Sequence, residues 1–467
     1  MHLFPHASSR ASIRALCVLG MSAILIGAAI QPAFAADESP QQLPIGDPDR
    51  RDKQASVVLD AVVDTRDGTV LDPSGLVKRL EKTRLLLVGE SHTSEEYHRV
   101  QEMVLRELHR NGRKVWVGLE MMPTDQQESL DRWVAGELSE EEYLEEGGWY
   151  EHWGYNWEYY RPIFQEARRS KMPMLGLNVP RDLVSSVRTM GFDGLEETDR
   201  KRLPPEIQGS NDEYQRHFMS YFDSDSGMHA IEGDMMEGFL RSQIAWDASM
   251  AWASVQALKK DPDAILVVLV GSGHVAYGIG IERQATPWLE GEIKTLIPVP
   301  VAYDGEPVET VSASYADFIW GVAEERWSRF PSLGISSRAG DDGVRSVLFV
   351  DENSPSAALN LQPGDLILSV DGHENPGAAA LRRIMGDKRW GDTVKLVWSR
   401  DGEEKTDTIY LRRPNEGPNE EGEEETVEEA DGAAEDAADS SSGDAESADA
   451  GEGAEDEKDE KDEKSRR

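Results

Sequence analysis

The sequence predicts an α/β fold: an open, mainly parallel sheet with helices on both faces, followed by a small β-rich domain and a disordered acidic tail. Three observations carry this. Four short, almost continuously apolar runs (84–88, 114–119, 172–177 and 264–270) have the length of strands buried on both faces. Between them, 95–110 and 235–258 repeat apolar residues every three or four positions, as amphipathic helices do. Alternation of this kind implies helices covering a parallel sheet. After residue 326 the texture changes to short strands and turns, and after 413 to Gly, Ala, Ser and acidic residues. The 467 residues therefore divide into 1–35, 50–325, 328–413 and 414–467.

In the first segment, His2, Arg10 and Arg14 precede an apolar run over 15–30, and Ala33-Phe34-Ala35 supplies small-x-small spacing. This predicts a signal peptide cleaved after Ala35 and a periplasmic or otherwise exported protein. The run is short for a membrane span, and an uncleaved anchor is the other reading. The only cysteine, Cys17, lies inside this run without a lipobox around it. Cleavage would leave no disulfide and no thiolate, so any metal would fall to His, Tyr, Met or carboxylate.

Charge is unevenly spread. Of the formal net charge of −40, about −18 lies in 415–467, where 23 acidic residues face five basic ones. Such a tail has too little apolar surface to offset its ordering entropy, and its simplest role is to solvate. The remainder is acidic as well, which argues against nucleic acid as a partner because phosphate binding needs a basic patch. A salt-adapted source would give the same balance.

Within 50–325, runs at 295–302 and 316–322 read as closing strands, and chemistry collects at strand ends. The first run ends in Gly89-Glu90-Ser91-His92, the second in Leu119-Glu120-Met121-Met122, the third in Asn178-Val179-Pro180-Arg181 and the fourth in Gly271-Ser272-Gly273-His274. Ligands of open parallel sheets bind at the carboxyl ends of strands, so these groups predict one shared site. Glycines beside His92 and His274 would permit close approach. His98, six residues past His92, could reach back to the site or lie exposed. Gln243 and Asp247 share a helix face, and Asp247 could orient a histidine or pair with a nearby base. The aromatic stretch 149–157 fits either a flat-ligand wall or helix packing.

These motifs, together with Gln243-x3-Asp247-x2-Met250-Ala251 and Gly-x-Gly-His274-x2-Tyr277-Gly-x-Gly, resemble the ChaN-like haem-binding proteins, grouped with Tiki-type proteases and related to erythromycin esterases. The resemblance covers roughly 55–325. It implies a haem-binding protein of the periplasm or outer membrane, tied to iron acquisition and often a homodimer around its cofactor. Family members are commonly lipoproteins; the missing lipobox departs from that and leaves membrane association open. His92, His98, His274 and Tyr277 are the candidate haem contacts, with Tyr277 a phenolate ligand assisted by His274 three residues earlier. The competing expectation is a hydrolase, peptidase or esterase. Glu90, His92, Glu120 and His274 would bind a divalent metal such as zinc or manganese, or deprotonate water without one. No His-Glu-x-x-His motif accompanies them.

Residues 328–413 resemble a PDZ domain, especially those of HtrA-type proteases. Ser332-Leu333-Gly334-Ile335 matches the carboxylate-binding loop, and Ser354-Pro355 through Pro363-Gly364-Asp365 to Val370-Asp371-Gly372 matches the segment that follows. A short helix is expected near 378–385. The resemblance implies capture of a polypeptide C-terminus, its carboxylate on the backbone N–H groups of Leu333, Gly334 and Ile335 and its strand added to the sheet edge. No Gly-x-Ser-x-Gly accompanies it. A degenerate module that only packs on its neighbour is the other reading.

Overall fold

The fold is taken from a computed structural model that describes residues 39–221, 233–303, 305–340 and 343–413. The predicted signal peptide and acidic tail lie outside the described residues.

The apolar runs become sheet strands because β-branched and leucine side chains can be buried on both faces of a parallel layer. In chain order the strands are β1 (Val62–Asp64), β2 (Thr69–Leu71), β3 (Thr83–Glu90), β4 (Lys114–Pro123), β5 (Met174–Asn178), β6 (Ala264–Gly271), β7 (Glu292–Pro300) and β8 (Phe318–Val322). Every residue of β6 is buried. The sheet order is β2-β1-β8-β7-β3-β6-β4-β5, parallel from β8 to β5, with β1 and β2 antiparallel at one edge. The edge hairpin is absent from the sequence expectation because three-residue strands carry no readable alternation.

From β3 the chain crosses to β4 on one side, and from β6 it crosses to β7 on the other. β3 and β6 are neighbours, with Glu90 opposite Gly271. Their carboxyl ends therefore flank a topological switch point, where the sheet opens a crevice.

The helices that face this crevice are α1 (Glu95–Arg110), α2 (Trp149–His152), α3 (Trp157–Arg169), α4 (Arg181–Met190), α5 (Asp212–Ser220) and α6 (Asp234–Lys260). α1 spans the predicted range and is capped by Ser94, whose hydroxyl accepts from the Tyr97 N–H. The buried face of α1 carries Val100, Val104, Leu105 and Leu108. On the other face of the sheet, Leu43 and Ile45 pack into a cluster with Tyr277 and Val311. The packed chain thus begins before the predicted boundary at 50.

The second domain is an antiparallel sheet in the order β9 (Ile335–Ala339), β10 (Arg345–Val350), β11 (Leu366–Val370), β12 (Thr393–Arg400), β13 (Glu403–Tyr410), with α7 (Ala378–Gly386) beside it. Leu333, Val347, Ile367, Val394, Leu396 and Trp398 form its core. Arg400 clamps Asp365 with Nε to Oδ1 and Nη2 to Oδ2, both at 2.7 Å.

α7 packs on α2. Arg382 Nη1 donates to Tyr150 O at 2.8 Å, Asn156 Nδ2 to Gly386 O at 2.9 Å, and Arg389 Nη2 to Glu158 Oε1 at 2.8 Å. The segment gripped in this way is the aromatic stretch, whose rings fall in two different surroundings. Trp149 and Trp157 are buried against Tyr160 and Phe164 as helix packing, whereas the partly buried Trp153 and the exposed Tyr155 lie against His92.

Trp149 is fully buried and its indole donates to Tyr155 O at 3.0 Å. Trp149→Ala is expected to lower the unfolding free energy by about 3–5 kcal/mol in denaturant titrations. A loss below about 1 kcal/mol would contradict this packing.

Candidate functional site

Glu90 ends β3 with its carboxylate fully enclosed. Tyr160 OH from α3 donates to Oε1 at 2.6 Å, His92 Nδ1 lies 2.8 Å from the same oxygen, and Gln101 Nε2 from α1 donates to Oε2 at 2.8 Å. Burial opposes the charged form, but the imidazoles of His98 and His92 outweigh it and hold the carboxyl well below its usual range. Because a carboxylate only accepts, Nδ1 of His92 carries the proton toward it.

That bond fixes the ring of His92, whose side chain is 26% exposed. Its Nε2 makes no hydrogen bond among the described residues. The ring lies over Gly271, where an added Cβ would come within 3.1 Å of Cε1 and 3.3 Å of Nε2. The glycine at this strand end therefore makes room for a side chain of the protein, not for a ligand. Burial lowers the basicity of His92, yet the bond to Glu90 and the charges of Glu120 and Glu90 leave it raised overall.

A second carboxylate–imidazole array stands on the neighbouring strands. Glu120 Oε2 accepts from the Gly271 N–H at 2.7 Å, and Oε1 lies 3.4 Å from His274 Nε2. His274 Nδ1 lies 2.6 Å from Asp247 Oδ1 on α6, and Tyr214 OH on α5 donates to Asp247 Oδ2 at 2.6 Å. The Gln243 amide lies 3.1 Å from His274 Nδ1. Both ring nitrogens of His274 thus face carboxylates. Burial disfavours its charge, but Asp247 and Glu120 outweigh this and push the imidazolium up to about 10. Such a ring donates protons and has no lone pair for a metal.

Two cavities meet at these groups. The larger, about 770 Å³, is walled by Tyr97, Tyr155, Tyr214, Phe218, Tyr221 and Tyr315 together with Glu90, His92 and His274. The smaller, about 400 Å³, shares His92, Tyr155, Gln243 and His274 and adds Glu120, Asn178, Arg181 and Arg382. Glu90, His92, Glu120 and His274 are therefore brought together, as the strand ends predict. His98 also reaches back: Nε2 lies 3.5 Å from Glu90 Oε2 and its ring packs on Tyr160, but it lines neither cavity.

Tyr277, expected beside His274 as an iron ligand, does not point into either cavity. Its backbone is left-handed (φ 62°), its OH donates to Pro40 O at 2.8 Å and accepts from the Leu43 N–H at 2.9 Å, and its ring is buried in the core. The phenol pins the chain around Leu43 to the sheet. In the second domain, Leu333 is buried, Gly334 takes φ 70°, and Ile335 opens edge strand β9. An added Cβ at Gly334 would meet Ser354 Cβ at 2.0 Å, so only glycine fits this loop.

Sequence reasoning missed Tyr160, Gln101, Tyr214 and His217. His217 lines the larger cavity with Nε2 3.0 Å from Gly273 O, and burial, partly opposed by that carbonyl, pushes it down to about 4. No spacing in the sequence ties these helical residues to the strand ends. Among the described residues, no group of three or more His, Cys, Asp or Glu is arranged to hold a metal ion.

The charge of His274 has a thermodynamic consequence. A folded-state value near 10 against an ordinary 6.5 stabilises the fold below about pH 6.5, and that contribution is lost as pH climbs through 10. Melting temperatures are expected to fall between pH 7 and 10 more steeply in the native protein than in His274→Gln. Parallel profiles would contradict the assignment.

Residues 76–284 match the sequence model of the family described as haem-binding uptake, Tiki superfamily, ChaN, and residues 331–411 match that of the PDZ domain. One curated relative, Protein RETICULATA-RELATED 5, chloroplastic, of Arabidopsis thaliana, is 24% identical over 225 residues, 44% of this chain and 29% of that protein. The chain thus spans under a third of that relative's length. Among solved structures, that of cofacial heme binding to ChaN of Campylobacter jejuni is 18% identical with a TM-score of 0.44, covering 56% of this chain and 95% of that one. A serine endoprotease from Yersinia pestis is 22% identical with a TM-score of 0.16, covering 18% and 29%. Residues 76–284 are a domain of the ChaN haem-binding uptake family, and residues 331–411 are a PDZ domain.

Proposed function

We propose that this is an exported haem-binding protein of the cell envelope, in haem or iron handling, whose PDZ module recruits it to an exposed polypeptide C-terminus. The observation that carries the reading is His92. Its Nδ1 is bound to a buried carboxylate while Nε2 is left without a partner among the described residues, at the junction of two cavities. A carboxylate behind an imidazole fixes the ring and strengthens the other nitrogen as a ligand. The larger cavity, within the size of small-molecule sites and walled by aromatic rings, suits a flat apolar body. His92 would hold the iron, and bound haem would supply a redox-active centre. Tyr155 and Trp153 restrain the His92 ring from the other side. Export rests on the sequence pattern of residues 1–35.

The PDZ reading is supported by β9, which among the described residues pairs only with β10 and so stands at a sheet edge beside the Leu333-Gly334-Ile335 loop. Ile335 on β9 and Leu381 and Ile384 on α7 are partly buried against the core of this domain and would receive the last side chain of a peptide.

A hydrolytic reading draws on the second array, in which His274 stands between Asp247 and Glu120 as an acid–base pair would. Turnover of peptide or ester substrates, lost in Glu120→Gln and independent of haem, would favour it.

Haem titration of the native protein is expected to saturate near one haem per chain with a Soret band. His92→Ala is expected to weaken binding at least tenfold. Binding unchanged in His92→Ala would remove His92 as the ligand. For the second domain, peptides with a free C-terminal carboxylate are expected to bind in the micromolar range and their amidated forms at least tenfold more weakly. Equal binding of the two would leave the module a packing element.

A further inference from the structure

The smaller cavity holds two cations that the haem reading does not use. Arg181 opens α4 at the cavity rim, and Arg382 comes from α7 of the PDZ domain. Each is pinned through one nitrogen to the backbone of the aromatic segment: Arg181 Nη2 to His152 O at 2.9 Å and Arg382 Nη1 to Tyr150 O at 2.8 Å. Neither makes an ion pair among the described residues, in a chain with 89 acidic and 49 basic residues. Burial lowers both, and for Arg382 the nearby charges of Arg181 and Arg345 add to it, partly opposed by Glu151. Two like charges held together without an ion-paired carboxylate are a cost that an anionic ligand reduces. Guanidinium groups fixed in this way match carboxylates in a bidentate fork.

The two cavities differ in character on either side of His92. One is walled mainly by aromatic rings; the other carries the arginines together with Glu120. A ligand reaching across His92 would be a flat apolar body with acid groups along one edge. Resting on the haem reading above, we propose that Arg181 and Arg382 bind the haem propionates, so that the PDZ domain supplies part of the haem site. The docking contacts of α7, with Gly386 against Tyr150 and Asn156 donating to Gly386 O, hold Arg382 in place for this.

The test compares haemin with haemin dimethyl ester, in which both propionates are neutral, on the full chain in one buffer. The native protein is expected to bind the free acid at least about tenfold tighter than the ester. Arg181→Gln and Arg382→Gln are each expected to weaken haemin about three- to tenfold and leave ester affinity unchanged, and the double variant to bind both alike. Arg382→Lys should recover only part of the preference. Equal affinity of the native protein for acid and ester overturns the proposal while leaving the haem reading intact, and needs no variant to fold. A preference that survives the double variant also overturns it. Failure of the native protein to bind either porphyrin overturns the haem reading and this proposal with it.

Discussion

Burying the charge of Glu90 is the constraint on which the rest of the site depends. A carboxylate with no access to water costs several kcal/mol unless its lone pairs are satisfied. The chain meets that demand from three places: Tyr160 on α3, Gln101 on α1, and His92 just beyond the strand. Each donor fixes the element that carries it. α1 and α3 are tied to the end of β3, and the His92 ring is held over Gly271 with one nitrogen turned away from the carboxylate. The same network that makes the burial tolerable therefore sets the tautomer of His92, a partly exposed histidine of the crevice.

The neighbouring array uses the same device in a different charge state. His274 lies between Asp247 and Glu120, so its second nitrogen meets another carboxylate and the ring keeps both protons. His92 and His274 are thus chemically distinct although both close a strand beside a glycine. Around them the aromatic segment 149–157 is a shared part. Its ends are core, its middle is cavity wall, and its backbone carbonyls at Tyr150 and His152 accept from Arg382 and Arg181. Through this segment the PDZ helix is connected to the surroundings of His92.

Much of this was legible in the sequence because buried parallel strands announce themselves as apolar runs, and the polar residue that ends each run must face the sheet's carboxyl edge. That logic alone brings Glu90, His92, Glu120 and His274 together. It fails for Tyr277, where spacing from His274 suggested a joint role. The left-handed backbone at that residue turns the phenol away, toward the chain around Leu43. It also fails for Tyr160, Gln101, Tyr214 and His217, because which helix face meets the sheet edge is decided by tertiary packing. Arg382 was out of reach for the same reason. Its place beside the cavity depends on the docking of two domains, and a single sequence carries no sign of that.

The most direct test of the central claim is a crystal structure of the chain loaded with haem. The account predicts iron bound to His92 Nε2, the macrocycle in the aromatic cavity beside Tyr155, and the Glu90–His92 contact intact. Haem seated elsewhere, or ligated by another residue with His92 Nε2 free, would contradict it.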